Sequence, residues 1–292
     1  MTLKTNIQSM KKTLVLIALA AGLAAAAQPA LAAGGAKHPR SGGFTFEGPF
    51  GTFDQGQLQR GYKVYREVCS SCHGMDLMYF RTLAEPGGPF YDAHQANPAE
   101  NRFVKVLAAE VQVPDIDTET GEAVMRDAVP ADRFPNPYPN ATAAAAGNGG
   151  AAPPDLSVMA KARHDGANYI YSLLSGYRAA PAGLEIRAGQ YYNPYMAGDL
   201  TPFWKGPEGS HAPKGGFIAM PPPLRDGQVT YDDGSAQTVD QYSKDVAAFI
   251  AWASDPKQVQ RKQSGLGVMI FLILFAGVTY LSYRRIWKGV AH

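Results

Sequence analysis

Two uninterrupted apolar runs bracket this chain, and between them hydrophobic positions recur with helical spacing in only a few short stretches. The first run, "TLVLIALAAGLAAAA", follows Lys4, Lys11 and Lys12 and is succeeded by the small residues Ala30 to Ala32. A basic head, an apolar middle and a small-residue cleavage site predict a secretory signal peptide over residues 1–32. An alanine-rich helix of the folded protein would leave unexplained why the lysines come first and acidic residues are absent. The second run, Ser264 to Tyr283, is 20 residues without a charge. That length matches the hydrocarbon core of a bilayer and predicts a transmembrane helix over 264–283, not a buried core helix apolar on every face.

Between the runs, Asp54 with Gln57 three residues on has the form of a capping box, and Leu58, Gly61, Tyr62, Tyr65 and Cys69 then share one helical face. A second helix is predicted from about Asp165 to Ser175, with Tyr169, Ile170, Leu173 and Leu174 inward and Gly176 as its stop. A third begins at a Thr238/Gln241 capping box, carries Val239, Tyr242, Val246, Phe249, Ile250 and Ala253 as an apolar stripe, and ends at Asp255-Pro256. Segments such as "PNPYPNATAAAAGNGGAAPPD" have neither helical nor strand periodicity. Loops this long need something to pack against, and a chain with so little regular structure reaches an adequate core if it wraps a large apolar ligand. No internal repeat is visible, which sets solenoids aside.

Charge sharpens the topology. The 292-residue chain has a formal net charge of +2, but three lysines precede the first run, and Arg284, Arg285 and Lys288 follow the second. Setting those six aside leaves 21 Lys and Arg against 25 Asp and Glu, a net −4 for residues 33–263, which argues against a nucleic-acid partner. Lys257, Arg261 and Lys262 balance the basic residues beyond the second run, so flanking charge alone does not orient that helix. The leader does: residues 33–263 are expected in the periplasm and the tail 284–292 in the cytoplasm, a single-pass arrangement in the cytoplasmic (inner) membrane.

Both cysteines of the chain lie in "EVCSSCHGM". Cys69, Cys72 and His73 form C-x-x-C-H, the attachment signature of a c-type haem. Each thiol adds to one porphyrin vinyl, two intervening residues span the distance between the vinyls, and the next histidine lies beneath the iron as proximal ligand. A thioredoxin-like pair wants a βαβ context and gains nothing from the histidine. A structural zinc site needs further ligands at comparable spacing. A disulfide here would close a very short loop with little entropic benefit.

For the sixth ligand the preferred residue is Met220 in "FIAMPPPL", where three prolines restrict the following backbone. Met196 in "YYNPYMAGDL" competes. Met75 and Met78 stand too close to His73 to cross to the far face, and His94, His164 and His211 are weaker alternatives. Methionine opposite histidine raises the reduction potential and suits an electron carrier.

These residues, together with "FDQGQLQRGYKVYREVCSSCHGMDLMYFRTL", "PPDLSVMAKARHDGANYIYSLLSGY", "YYNPY", "AMPPPL" and "VTYDDGSAQTVDQYSKDVAAFIAWASDP", resemble the bacterial cytochrome c1 family, the haem c subunit of the cytochrome bc1 complex. The resemblance implies a mainly α fold: a class I cytochrome c-like haem domain enlarged by loop insertions, with a single C-terminal transmembrane helix. The first and third helices would cross near the haem edge.

It implies one covalent haem c on Cys69 and Cys72, His73 and Met220 as axial ligands, and Arg163 and Tyr169 near a haem propionate. An arginine there gives a partly buried carboxylate a charge-assisted partner. Some bacterial members carry a further disulfide near the methionine ligand. This chain has only two cysteines, so rigidity of its Met220 strap must come from prolines and packing.

Implied partners are cytochrome b, the Rieske iron–sulfur subunit as electron donor, and a soluble or membrane-tethered cytochrome c as acceptor, with no bond-making catalysis by this chain alone. The acidic run Glu110, Asp115, Asp117, Glu119 and Glu122 is a candidate to steer that acceptor. The alternative is a free-standing membrane-anchored monohaem carrier serving another oxidase or reductase, which would not be expected to carry the long matched insertions.

Overall fold

A computed structural model describes residues 35–289; the leader expected over 1–32 and the last three residues of the tail lie outside them. The described chain runs α1 (Gln55–Glu67), α2 (Arg102–Ala109), β1 (Gln112–Ile116), β2 (Ala123–Asp127), α3 (Ala141–Gly147), α4 (Gly166–Leu174), β3 (Tyr191–Asn193), β4 (Gly216–Ile218), α5 (Val239–Ser254) and α6 (Gln258–Ile286). Single 3-10 turns occupy Cys69–Ser71, Phe80–Ala84, Pro98–Glu100 and Thr201–Phe203. The strands form two separate antiparallel pairs, β1 with β2 and β3 with β4. The fold is mainly α, with one long apolar C-terminal helix, as expected.

The core is built where α1 meets α5. The buried face of α1 is Leu58, Gly61, Tyr62, Val64 and Tyr65. The buried stripe of α5 includes Tyr242, Val246, Phe249, Ile250, Trp252 and Ala253. Contact is closest at Gly61, where an added Cβ would lie 2.1 Å from the Asp245 carbonyl oxygen and 2.7 Å from Phe249 Cβ. Only glycine permits that approach. Around the crossing, the Phe249 ring lies 5.6 Å from Tyr62, 5.7 Å from Tyr65 and 5.6 Å from Trp252, centroid to centroid. Burying each such ring contributes about 1.5–3 kcal/mol.

One carboxylate is buried in this seam. Asp245 is fully buried and accepts from Arg60 Nε at 2.9 Å, Gln241 Nε2 at 2.9 Å and Gln57 Nε2 at 3.2 Å. Both expected capping boxes are therefore half-formed. Asp54 accepts from the Gln57 backbone N–H and Thr238 from that of Gln241, but both glutamine amides turn to Asp245 instead of reaching back to the caps. A buried anion attracts these donors more strongly than an exposed helix end does.

Several expectations need correction. On α4 the fully buried positions are Ala167, Ile170, Tyr171 and Ser172, while Tyr169, Leu173 and Leu174 are half-buried, because α5 packs against the 167/170/171 side. The stretch expected to lack periodic structure contains α3, a seven-residue alanine helix started by Asn140, whose side chain accepts from Ala143 N. The last helix extends well beyond the 20 uncharged residues: α6 has 29, roughly 43 Å, and begins at Gln258. Its base is tied down outside the apolar stretch. Lys262 Nζ donates to the Phe46 carbonyl at 2.7 Å, and Arg261 pairs with Asp255.

Candidate functional site

Helix α1 ends just before the cysteines. The Cys69 carbonyl accepts from Cys72 N at 3.1 Å and from His73 N at 2.9 Å, while Ser70 and Ser71 return their hydroxyls to the Arg66 and Val68 carbonyls. The turn so formed sets Cys69, Cys72 and His73 at fixed positions off the end of α1. Gly74 then lets the chain pass against Asn136, whose Oδ1 would lie 2.0 Å from a Cβ.

A second segment, 81 residues on, clamps the histidine: His73 Nδ1 donates to the Pro154 carbonyl at 2.7 Å. A carbonyl can only accept, so the proton is on Nδ1 and the Nε2 lone pair is left for a metal. Asp155 reinforces the clamp by accepting from Asp76 N and Ser157 N, each at 2.8 Å, and Leu156 N donates to the Gly74 carbonyl at 2.9 Å. Burial lowers the imidazole's pKa, opposed by the Pro154 hydrogen bond and Asp155, which favours the neutral form a metal needs.

Both cysteines are free and half-buried. Burial, with the second thiol adding to it, pushes the Cys69 thiol up to about 12. A redox pair of the thioredoxin type needs a thiol pushed the other way from Cys69 and a βαβ setting, and no βαβ unit is present among the described residues. Nor do three or more His, Cys, Asp or Glu side chains converge there as a metal cluster. Two half-buried free thiols beside an imidazole whose Nδ1 proton is held by the Pro154 carbonyl fit a haem attached by thioether bonds and ligated by histidine. A cleft of about 310 Å³ opens beside Cys72, lined by Gly74, Asp76, Asn136, Tyr138 and Asp155 among others.

The remaining candidates occupy different surroundings. Met220 is half-buried in the irregular strap between β4 and α5, and its carbonyl accepts from Tyr177 Oη at 3.0 Å. The Met196 sulfur instead accepts from Tyr169 Oη at 3.7 Å. Met75 and Met78 are core residues, and His94, His164 and His211 are exposed.

Arg163, exposed before α4, donates from Nη1 to the Ala162 carbonyl at 3.1 Å, and its positive charge near Tyr169 opposes the rise in the phenol's pKa that burial causes. The structure thus brings Arg163, Tyr169 and Met196 together. The acidic run lies on the β1–β2 hairpin and its flank, where Glu110 pairs with Arg66 and Asp115 with Arg126, leaving Asp117, Glu119 and Glu122 without an ion pair among the described residues.

Sequence reasoning missed Pro154, Asp155, Asn136 and Tyr177. The only local hint was the stiff "PPD" preceding Leu156.

Comparison with known proteins gives a consistent answer. The model of the Cytochrome C1 family matches residues 44–290. A "Cytochrome c1" of Rhodospirillum rubrum is 40% identical over 290 residues, covering 91% of this chain and 96% of that one. A "Cytochrome c1-2, heme protein, mitochondrial" of Solanum tuberosum is 41% identical, covering 82% of this chain and 81% of that one. A "Cytochrome b/c1" of Bradyrhizobium diazoefficiens is 42% identical over 94% of this chain, which spans 39% of that longer protein.

Proposed function

The chain belongs to the cytochrome c1 family, and from that premise we propose that it is the subunit of a bacterial cytochrome bc1 complex that receives single electrons from a Rieske iron–sulfur partner and delivers them to a cytochrome c. At the coarser level it is a haem-carrying electron-transfer protein with covalently bound haem c and, among the described residues, one helix long and apolar enough to anchor it. Bound haem supplies a one-electron iron couple.

The chain's own residues do the rest. Cys69 and Cys72 hold the group by two thioether bonds, and His73 presents Nε2 because Pro154 occupies Nδ1. Met220 would supply the second protein ligand to the iron, and Arg163 and Tyr169 would receive a haem carboxylate. The single observation that carries this reading is the imidazole clamped in one tautomer next to a pair of free thiols.

The remaining assignments are part of the same proposal. Residues 1–32 are a cleaved leader, 33–263 the periplasmic haem domain, 264–283 the membrane span and 284–292 the cytoplasmic tail. Cytochrome b is the membrane partner, a role favoured by the name "Cytochrome b/c1" of the longer Bradyrhizobium relative. Asp117, Glu119 and Glu122 steer a basic cytochrome c, since their charges are not spent on arginines. Gentle detergent purification through this subunit, followed by a reduced-minus-oxidised spectrum, tests the assignment. Haem b accompanying haem c, with quinol-driven cytochrome c reduction, is the expected result; haem c alone would point to a free-standing anchored carrier.

A further inference from the structure

The strap that carries Met220 is stiff but poorly anchored. Pro221, Pro222 and Pro223 follow the methionine and restrict its backbone to extended conformations, yet none of them has an N–H with which to tie the segment down. Upstream, the β3–β4 ladder holds the chain as far as Ile218, opposite Tyr191. Downstream, Leu224 is buried in the core and Arg225 N donates to Gln228. Between those points, among the described residues, the strap receives one hydrogen bond, from Tyr177 Oη to the Met220 carbonyl at 3.0 Å.

Tyr177 is itself built to stay in place. It follows α4 through Gly176, where an added Cβ would lie 2.4 Å from the Ser172 carbonyl oxygen and 2.5 Å from the Tyr195 ring. The helix end in front of it is capped by fully buried Asn193, whose Nδ2 donates to the Leu173 carbonyl at 2.8 Å while its Oδ1 accepts from Tyr195 N at 3.0 Å. Asn193 also belongs to β3 and pairs with Gly216 of β4. One buried amide thus links the end of α4, the strand pair leading into the strap, and the tyrosine that grips it.

We propose that Tyr177 is the positioning residue for the sixth ligand, holding the Met220 backbone so that the sulfur is presented to the haem iron and returns to it after any excursion. The proposal rests on the reading of Met220 as axial ligand. It assigns to one hydroxyl the anchoring that a chain with no cysteines beyond the haem pair cannot obtain from a disulfide.

The test uses the full-length haem-loaded protein in its detergent-solubilised complex and compares Tyr177→Phe, Met220→Leu and Tyr192→Phe. Tyr192 is the control, because its hydroxyl also donates to a backbone carbonyl nearby, that of Lys214 at 2.6 Å, and not to a carbonyl of the strap. The readouts are the near-infrared sulfur-to-iron band of the ferric protein, including its loss with denaturant, and the rate of carbon monoxide binding to the ferrous protein.

Met220→Leu should lose the band; if it keeps it, the ligand assignment fails and the role of Tyr177 falls with it. With that control satisfied, Tyr177→Phe should keep the band, lose it at lower denaturant and bind carbon monoxide roughly fivefold faster, as expected for one lost hydrogen bond. Tyr192→Phe should match the wild type. A Tyr177→Phe protein indistinguishable from wild type, or an equal acceleration in Tyr192→Phe, overturns the proposal while leaving Met220 as ligand.

Discussion

Replacing Gly61 by alanine probes the junction on which the site depends, because α1 delivers Cys69 and His73 from a position set by its crossing with α5. The new methyl carbon would lie 2.1 Å from the Asp245 carbonyl oxygen, 2.7 Å from the Asp245 carbonyl carbon and 2.7 Å from Phe249 Cβ. Two of those three atoms are backbone in the middle of a helix, so no side-chain rotation relieves the clash and the helices must separate. Overpacking of this kind costs about 1–3 kcal/mol, and a site that cannot yield belongs at the upper end. Alanine regains about 1 kcal/mol of helix propensity over glycine, which leaves a net loss of about 2 kcal/mol.

For a domain of this size that corresponds to a fall in Tm of about 4–8 °C. The assay is thermal unfolding of the full chain in detergent, alongside Gly56→Ala as control. At Gly56 a Cβ meets nothing nearer than Asp54 Oδ1 at 3.5 Å, so that variant should be neutral or stabilised by up to about 1 kcal/mol. Equal Tm values for Gly61→Ala and wild type, or equal losses in both variants, would refute the argument that close helix approach requires glycine at position 61.

Asp245→Asn keeps the volume but presents an amide to Arg60, Gln57 and Gln241 and removes the buried charge opposite the guanidinium, so it should cost about 3 kcal/mol, read as a lowered denaturation midpoint. Acid should destabilise the domain through Asp233, whose carboxyl is held down to about 2 from 3.8, first by the Ser235 backbone N–H and then by Arg60. Because the folded-state value is the lower one, this contribution is fully present above pH 3.8 and is lost as pH falls towards 2; Asp233→Asn should flatten the stability curve in that window, and an unchanged slope contradicts the assignment. Neutralising Asp117, Glu119 and Glu122 together should weaken the salt dependence of cytochrome c reduction, whereas an unaltered dependence would show that the hairpin tip plays no part in encounter.

Much of the frame was readable because its signals are local. Asp54 and Thr238 start their helices where a short acceptor precedes an apolar period, and the Asp255-Pro256 pair stops α5. The thiol spacing and the adjacent histidine needed no tertiary information. What escaped was set by distant partners. The tautomer of His73 depends on a carbonyl 81 residues away, and the grip on Met220 comes from a tyrosine 43 residues earlier. Helix α3 was hidden by its alanines, which give no amphipathic period, although Asn140 was a usable cap signal. Charge counting also misled, since two of the five acidic residues in the hairpin region prove to be paired with arginines recruited from α1 and β2.

The most direct test of the central claim is the intact mass of the protein purified from a host equipped for c-type cytochrome assembly, with mapping of the peptide that contains Cys69 and Cys72. The account predicts the mass of residues 33–292 plus one haem, with both thiols of that peptide converted to thioethers. A full-length chain with two unmodified thiols would contradict both the export of the domain and the covalent attachment on which the electron-transfer role rests.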